Sequence, residues 1–130
     1  MTKKKKRVLC VCAKGLNRSP YLAKYLRIKG YSTKSGGIEG FNYGEESPRP
    51  IKQKNVDWAD VIIIVRKRLK PIFTKKYKTK GKKIIVIDVT DSRRLLPAKY
   101  SFLKKATNYE FDRKWRRPQL RKAIKKHIPL

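Results

Sequence analysis

Residues 8–20 read VLCVCAKGLNRSP, and their reading decides the fold. An apolar run stops on a thiol at Cys12, five residues separate it from Arg18, and Ser19-Pro20 follows at once. The run RVLCV (7–11) has strand propensity, because β-branched and other apolar side chains fit a pleated, buried surface. Ser19-Pro20 is a helix start, with Ser at the N-cap and Pro at the first helical position, where its missing N–H costs nothing. A helix over YLAKYLRIK then follows, with Tyr21, Leu22, Tyr25, Leu26 and Ile28 gathered mainly on one face and Gly30 as its stop. A strand that passes through a short turn directly into a helix is half of a β-α-β unit.

The rest of the chain repeats that alternation. YSTKS (31–35) reads as a weak, edge-type strand, and SGGIEGFNYGEESPRP (35–50) as loop, from its Gly, Pro and small polar residues. DVIIIV (60–65) is continuously apolar rather than alternating, which predicts a strand covered on both faces, as in a parallel sheet. KKIIVID (82–88) repeats the pattern. Between them, RKRLKPIFTKKY has helical spacing at Leu69, Ile72 and Phe73, with Pro71 tolerable only near a helix start. Beyond Asp91 the chain reads as irregular structure and basic helices, closing on RPQLRKAIKKHI (117–128) with Leu120, Ala123 and Ile124 on one stripe. The predicted fold is α/β: a four-stranded, parallel, doubly wound sheet with helices on both faces and a phosphate-binding loop after the first strand. Residues 1–6 are expected to be a flexible basic tail and 7–130 a single domain.

Composition narrows the function. The 130 residues carry 37 Lys+Arg against 9 Asp+Glu, a net charge of +28. Self-repulsion on that scale favours polyanions close to the surface, so association with nucleic acid or other polyanions is one expectation and a merely solvated basic surface the other. The basic runs KKKKR (3–7), RKRLK (66–70) and RKWRR (113–117) carry this charge, the last with an interleaved aromatic. The longest apolar run, VIIIV (61–65), is far too short to span a membrane, and MTKKKKR lacks the apolar segment of a secretory signal. Cys10 and Cys12 alternate on one strand, where side chains diverge, so a disulfide between them is not expected. Free thiols fit a cytoplasmic, reducing setting. Cys10, inside the strand, reads as core.

The chemistry concentrates at the exit of the first strand. In a parallel doubly wound sheet, ligands bind at the carboxyl ends of strands near the switch in strand order. A turn from Ala13 through Lys14, Gly15, Leu16, Asn17 and Arg18 to Ser19 directs successive backbone N–H groups into one concavity, and a helix N-terminus adds positive potential. That is a phosphate cradle. Arg18 adds a fork suited to two phosphate oxygens, the positive field favours the thiolate of Cys12, and the Ser19 hydroxyl can donate to that sulfur. Gly15 and Asn17 are residues able to adopt the backbone angles of a tight turn.

VLCVCAKGLNRSP resembles the signature of low-molecular-weight protein tyrosine phosphatases, in which a strand leads into C-x5-R-S-P. Weaker similarity covers about the first 90 residues: SGG (35–37), VDWADVIIIV (56–65) and IIVIDVTD (84–91) each look like a family segment. Three features depart from the pattern. Gly15 stands where the family usually has a bracing Asn, the second loop cysteine is absent, and Asp91 is followed by Ser92 rather than Pro. The distal cysteines of related arsenate reductases are absent as well.

The resemblance implies a cysteine-dependent hydrolysis of phosphomonoesters, most of all phosphotyrosine in proteins, with possible dual specificity. Cys12 is then the nucleophile and Arg18 the oxyanion clamp, with no metal or other cofactor; the single histidine, His127, lies near the far terminus. Asp91, just past the end of a predicted strand on the same rim as Cys12, is the preferred general acid, with Asp112 in YEFDRKW and Asp88 as the alternatives. Tyr43 and Phe41 are candidate substrate walls, while Trp58 reads as core. From another class, the chain is a phosphate- or nucleic-acid-binding protein on a phosphatase-like scaffold, with little or no turnover.

Overall fold

The computed structural model describes residues 6–42, 44–89 and 96–130. Four parallel strands form its frame: β1 (Arg7–Cys12), β2 (Ser32–Gly37), β3 (Val61–Ile64) and β4 (Lys83–Val86), in the order β2-β1-β3-β4. The chain leaves β1 toward one edge, to β2, and later returns to β1's other flank with β3. The change of direction therefore falls at β1, and Cys12 is its last residue.

Alternation along the strands sorts their side chains to two faces. Val8, Cys10 and Cys12 of β1 and Val61 and Ile63 of β3 pack with Leu22, Ala23 and Leu26 of helix α1 (Arg18–Ile28). Leu120 and Ile124 of helix α5 (Arg117–Lys125) complete that layer. On the opposite face, Leu9, Val11, Ile62 and Ile64 meet Val56 of helix α2 (Gln53–Trp58) and Leu69 and Phe73 of helix α3 (Leu69–Lys76). All four residues of β3 are buried, as its unbroken apolar run requires of a strand covered on both sides. The doubly wound parallel sheet is thus as the sequence predicts. A separate small cluster of Leu96, Leu103, Phe111 and Trp115 underlies a 3₁₀ segment (Ala98–Lys105), the short helix α4 (Asn108–Phe111) and a π-helical turn (Asp112–Arg116) that runs into α5.

The structure departs from the sequence reading in four places. Helix α1 begins at Arg18 with Asn17 at its N-cap, so Ser19 is not the cap. Its hydroxyl is drawn inward to the sulfur of Cys12 and the carbonyl of Gly36, and Pro20 sits in the first turn, where its missing N–H is harmless. Strand β2 extends through Gly36 and Gly37 instead of giving way to loop at Ser35. Helix α2 occupies a stretch that carries no helical signature of its own. The C-terminal helix stops at Lys125, short of His127. Among the described residues, no helix is long and apolar enough to cross a membrane.

Candidate active site

The turn after β1 is held from outside by hydrogen bonds to its carbonyls. The Ala13 carbonyl accepts from the Ile38 and Glu39 N–H groups, each at 2.9 Å. The Lys14 carbonyl accepts from the buried Ser47 hydroxyl at 2.8 Å. In a trans peptide the N–H points opposite the C=O, so these two bonds turn the Lys14 and Gly15 N–H groups away from the carbonyls' partners. Gly15, at φ +75°, closes the turn and donates its N–H to Cys12 Sγ at 3.1 Å. Only a glycine fits here. A Cβ at Gly15 would stand 2.6 Å from the Gly37 nitrogen, and one at Gly37 would stand 2.3 Å from the Lys14 carbonyl carbon. Close backbone packing of residues 14–15 on 36–37, with the Ser47 bond, therefore braces the loop.

Cys12, Ala13, Lys14, Leu16, Asn17 and Arg18 line a hollow of about 110 Å³. At its base, Cys12 Sγ lies 3.1 Å from Ser19 Oγ, and Ser19 Oγ lies 3.3 Å from the Gly36 carbonyl oxygen. A protonated thiol donates to Ser19, which donates to Gly36. Once the sulfur is ionised, the serine hydroxyl can rotate and donate to it instead. The Arg18 guanidinium is buried, and its Nη1 donates to the Val89 carbonyl at 2.8 Å, tying the start of α1 to the stretch that follows β4. All seven loop residues singled out in the sequence, 13 to 19, thus contribute to one constellation around Cys12.

The candidate acids are placed very differently. Asp91 lies outside the described residues, as does Tyr43. Asp88 is exposed, accepts from the Lys67 N–H at 3.2 Å and pairs with Arg66 at 3.5 Å, the setting of a strand-end cap. Asp112 does not line the hollow, but it accepts from Asn17 Nδ2, a lining residue, at 3.4 Å, and it also pairs with Arg116. Phe41 is 66% exposed, and the Lys14 ammonium lies 5.4 Å from its ring centre. Both line a cleft of about 610 Å³ with Glu39, Ile72 and Lys76. Trp58 is half-buried against the α2–α3 face, with Lys34 over its ring at 4.7 Å, and does not line the hollow.

Several contributors were not foreseen. Ser47 sits within EESPRP, where no periodicity marks it, and only the fold shows that it reaches back to Lys14. Glu39 receives both arms of the Arg68 guanidinium, at 2.6 and 3.3 Å. That hydrogen-bonded pairing holds its carboxyl below the usual glutamate range despite partial burial, with Lys14 and Arg18 acting in the same direction. A fixed negative charge thus stands beside the cationic loop. Cys10 is fully buried, and burial pushes its thiol far above the ordinary range, with the Cys12 sulfur adding to the effect.

No protein-family model matches the chain, and no curated protein is matched. Solved structures are. Wzb from Vibrio vulnificus, in complex with benzylphosphonate, superposes with a TM-score of 0.65 at 14% identity, over 95% of this chain and 97% of that one. The YwlE arginine phosphatase from Geobacillus stearothermophilus gives 0.60 at 20% identity, over 94% and 90%. A low-molecular-weight protein tyrosine phosphatase from T. tengcongensis gives 0.57 at 21% identity, over 94% and 99%. The chain has the low-molecular-weight protein tyrosine phosphatase fold.

Proposed function

We propose that the protein is a cysteine-dependent phosphatase that hydrolyses phosphomonoesters, protein phosphotyrosine foremost, through a cysteinyl-phosphate. The Cys12 thiolate attacks phosphorus in line, forming the S–P bond as the ester P–O bond breaks. The loop amides and the Arg18 guanidinium hold the equatorial oxygens, placing fixed positive charge where negative charge accumulates. A carboxylic acid gives its proton to the departing oxygen and then, as carboxylate, takes one from the water that cleaves S–P. Water supplies the oxygen of the released phosphate, and Cys12 returns as thiolate, with Ser19 donating to it.

One observation carries the reading: Cys12 Sγ lies at the base of the hollow, 3.1 Å from both the Gly15 amide and the Ser19 hydroxyl, with Arg18 on the same lining. Asp91 remains the proposed acid. It follows by two residues the Val89 carbonyl that accepts from Arg18, and Asp112, held to Arg116, is its rival. Benzylphosphonate bound to a protein of this fold supports an aryl-type substrate, and exposed Phe41 is the proposed wall for its ring, with Tyr43 as the second. A reducing, intracellular setting belongs to the proposal, since a nucleophilic thiolate is readily oxidised.

Hydrolysis of a generic aryl phosphate by wild type and by Cys12→Ser tests it. Turnover in wild type that vanishes in the variant is expected; turnover that survives the substitution overturns the mechanism. The +28 charge favours a second reading, association with nucleic acid or other polyanions. That reading requires binding that weakens steeply from low to moderate salt, and it fails if no binding occurs at low salt.

A further inference from the structure

A second recess opens beside the catalytic hollow and shares Leu16 and Asn17 with it. About 500 Å³ in volume, it runs between α1 and the π-helical turn that leads into α5. Its apolar lining includes Leu16, 50% exposed, and Ile28, 77% exposed. Exposed Lys24 reaches it from α1 and exposed Arg117 from the start of α5. Among the described residues the carboxylate in its lining is Asp112, already paired with Arg116, so the described lining combines apolar side chains with two cations.

We propose that this recess is a specificity subsite for the peptide flanking the phosphorylated residue, and that it selects an acidic side chain through Lys24 and Arg117 with an apolar neighbour against Leu16 and Ile28. The inference rests on the phosphatase reading of the loop and names the substrate class for it. Contiguity supplies the geometry: the hollow and the recess share the Leu16–Asn17 edge, which gives the chain beyond a phosphoryl group over Cys12 a direct way into the recess. Charge complementarity supplies the preference, since Lys24 and Arg117 line the recess and the carboxylate among its described lining residues, Asp112, is paired.

A nucleic-acid strand fits less well. Sequence-tolerant binding of single strands relies on aromatic faces on which bases stack. The Arg117 guanidinium stands 5.2 Å from the centre of the Tyr21 ring, Lys29 lies 5.5 Å from that of Tyr25, and the Tyr21 hydroxyl accepts from Arg121 at 2.7 Å. One face of the Tyr21 ring thus carries Arg117 and one face of the Tyr25 ring carries Lys29, which leaves less aromatic surface for bases to stack on.

The test uses two phosphotyrosyl peptides that differ only in whether the residues beside phosphotyrosine are Glu and Leu or Ala and Ala. Wild type should turn over the acidic peptide with kcat/KM roughly tenfold higher, mostly through KM, the scale of two partly exposed ion pairs. Lys24→Gln/Arg117→Gln should bring the ratio of the two peptides to within about twofold of unity. Lys54→Gln/Lys80→Gln, which removes the same charge from exposed positions outside the recess, should keep the wild-type ratio. No preference in wild type, or equal loss of preference in both variants, overturns the proposal. So does an oligothymidylate of about ten nucleotides that binds tighter than the acidic peptide and depends on Lys24 and Arg117 for it. Should wild type fail to hydrolyse even a generic aryl phosphate, the phosphatase reading fails by itself. Fluorescence anisotropy of the acidic peptide on the same three proteins then decides the recess, where binding that ignores Lys24 and Arg117 overturns it.

Discussion

The interior of β1 and its exit hold one cysteine each, two residues apart, on the same face and almost equally buried. Cys10 is 0% exposed and Cys12 is 3% exposed. Cys10 packs among apolar side chains, and burial holds its proton in place. Cys12 belongs to the same cluster. It also meets the Gly15 amide, the Ser19 hydroxyl and the open hollow, because the strand stops there and the chain turns back over the sulfur. Burial alone therefore does not decide what a thiol does. The end of a parallel strand gives a buried thiol polar partners and an open hollow that the strand interior does not, and the proposed nucleophile is the thiol so placed.

That contrast can be broken outright by exchanging the two thiols' fates. Cys12→Ser should lower phosphatase turnover by on the order of 10⁴-fold or more. Cys10→Ala should leave turnover within about threefold and reduce stability by about 1 kcal/mol, the cost of a small cavity. Comparable activity losses in both variants would erase the distinction. The same contrast predicts that iodoacetamide modifies Cys12 first, that phosphate protects it, and that Cys10 reacts only on unfolding.

Smaller perturbations sharpen the claim that the exit is built rather than incidental. Gly37→Ala puts a methyl group 2.3 Å from the Lys14 carbonyl carbon and 2.5 Å from the Gly15 nitrogen. The loop must shift, so kcat should drop about 10²-fold, with a stability loss of about 2 kcal/mol in thermal or denaturant unfolding. Ser47→Ala strands the Lys14 carbonyl and should cost about 1 kcal/mol, with a several-fold fall in kcat. Wild-type kcat in Ser47→Ala would show that the bond does not position the loop.

The mildest effect concerns pH. Glu39's folded carboxyl sits below its unfolded value, so its pairing with Arg68 stabilises the fold fully above the ordinary glutamate range, about 4.3, and that contribution is lost as pH falls through the depressed value. The pair is half-exposed and should contribute less than about 1 kcal/mol. Glu39→Gln should be slightly less stable than wild type at neutral pH, and the gap should close on acidification. A gap that widens on acidification would contradict the pairing.

Much of this was legible because the decisive elements carry local signals. Val61–Ile64 announces a doubly covered strand by its unbroken apolar run, and the turn at 12–19 announces itself by a thiol, a glycine and a guanidine at fixed spacing. The brace was not legible, since it joins residues distant in sequence: Ser47 to Lys14, and Gly15 to Gly36 and Gly37. Nor was the first turn of α1. Ser19-Pro20 has the look of a cap, yet tertiary hydrogen bonds claim the serine for Cys12 and Gly36, and the helix begins earlier. The segment 108–116 was hidden for another reason: its few buried residues, Phe111 and Trp115, belong to a small cluster of their own rather than to a long amphipathic stripe.

The most direct measurement is rapid acid quenching during turnover of an aryl phosphate, followed by peptide mapping in a mass spectrometer. Phosphate covalently attached to the peptide that contains Cys12, absent from the Cys12→Ser protein, is the expected result. Phosphate on another residue, or steady turnover with no covalent phosphoprotein at any quench time, would contradict a nucleophilic sulfur at the exit of β1.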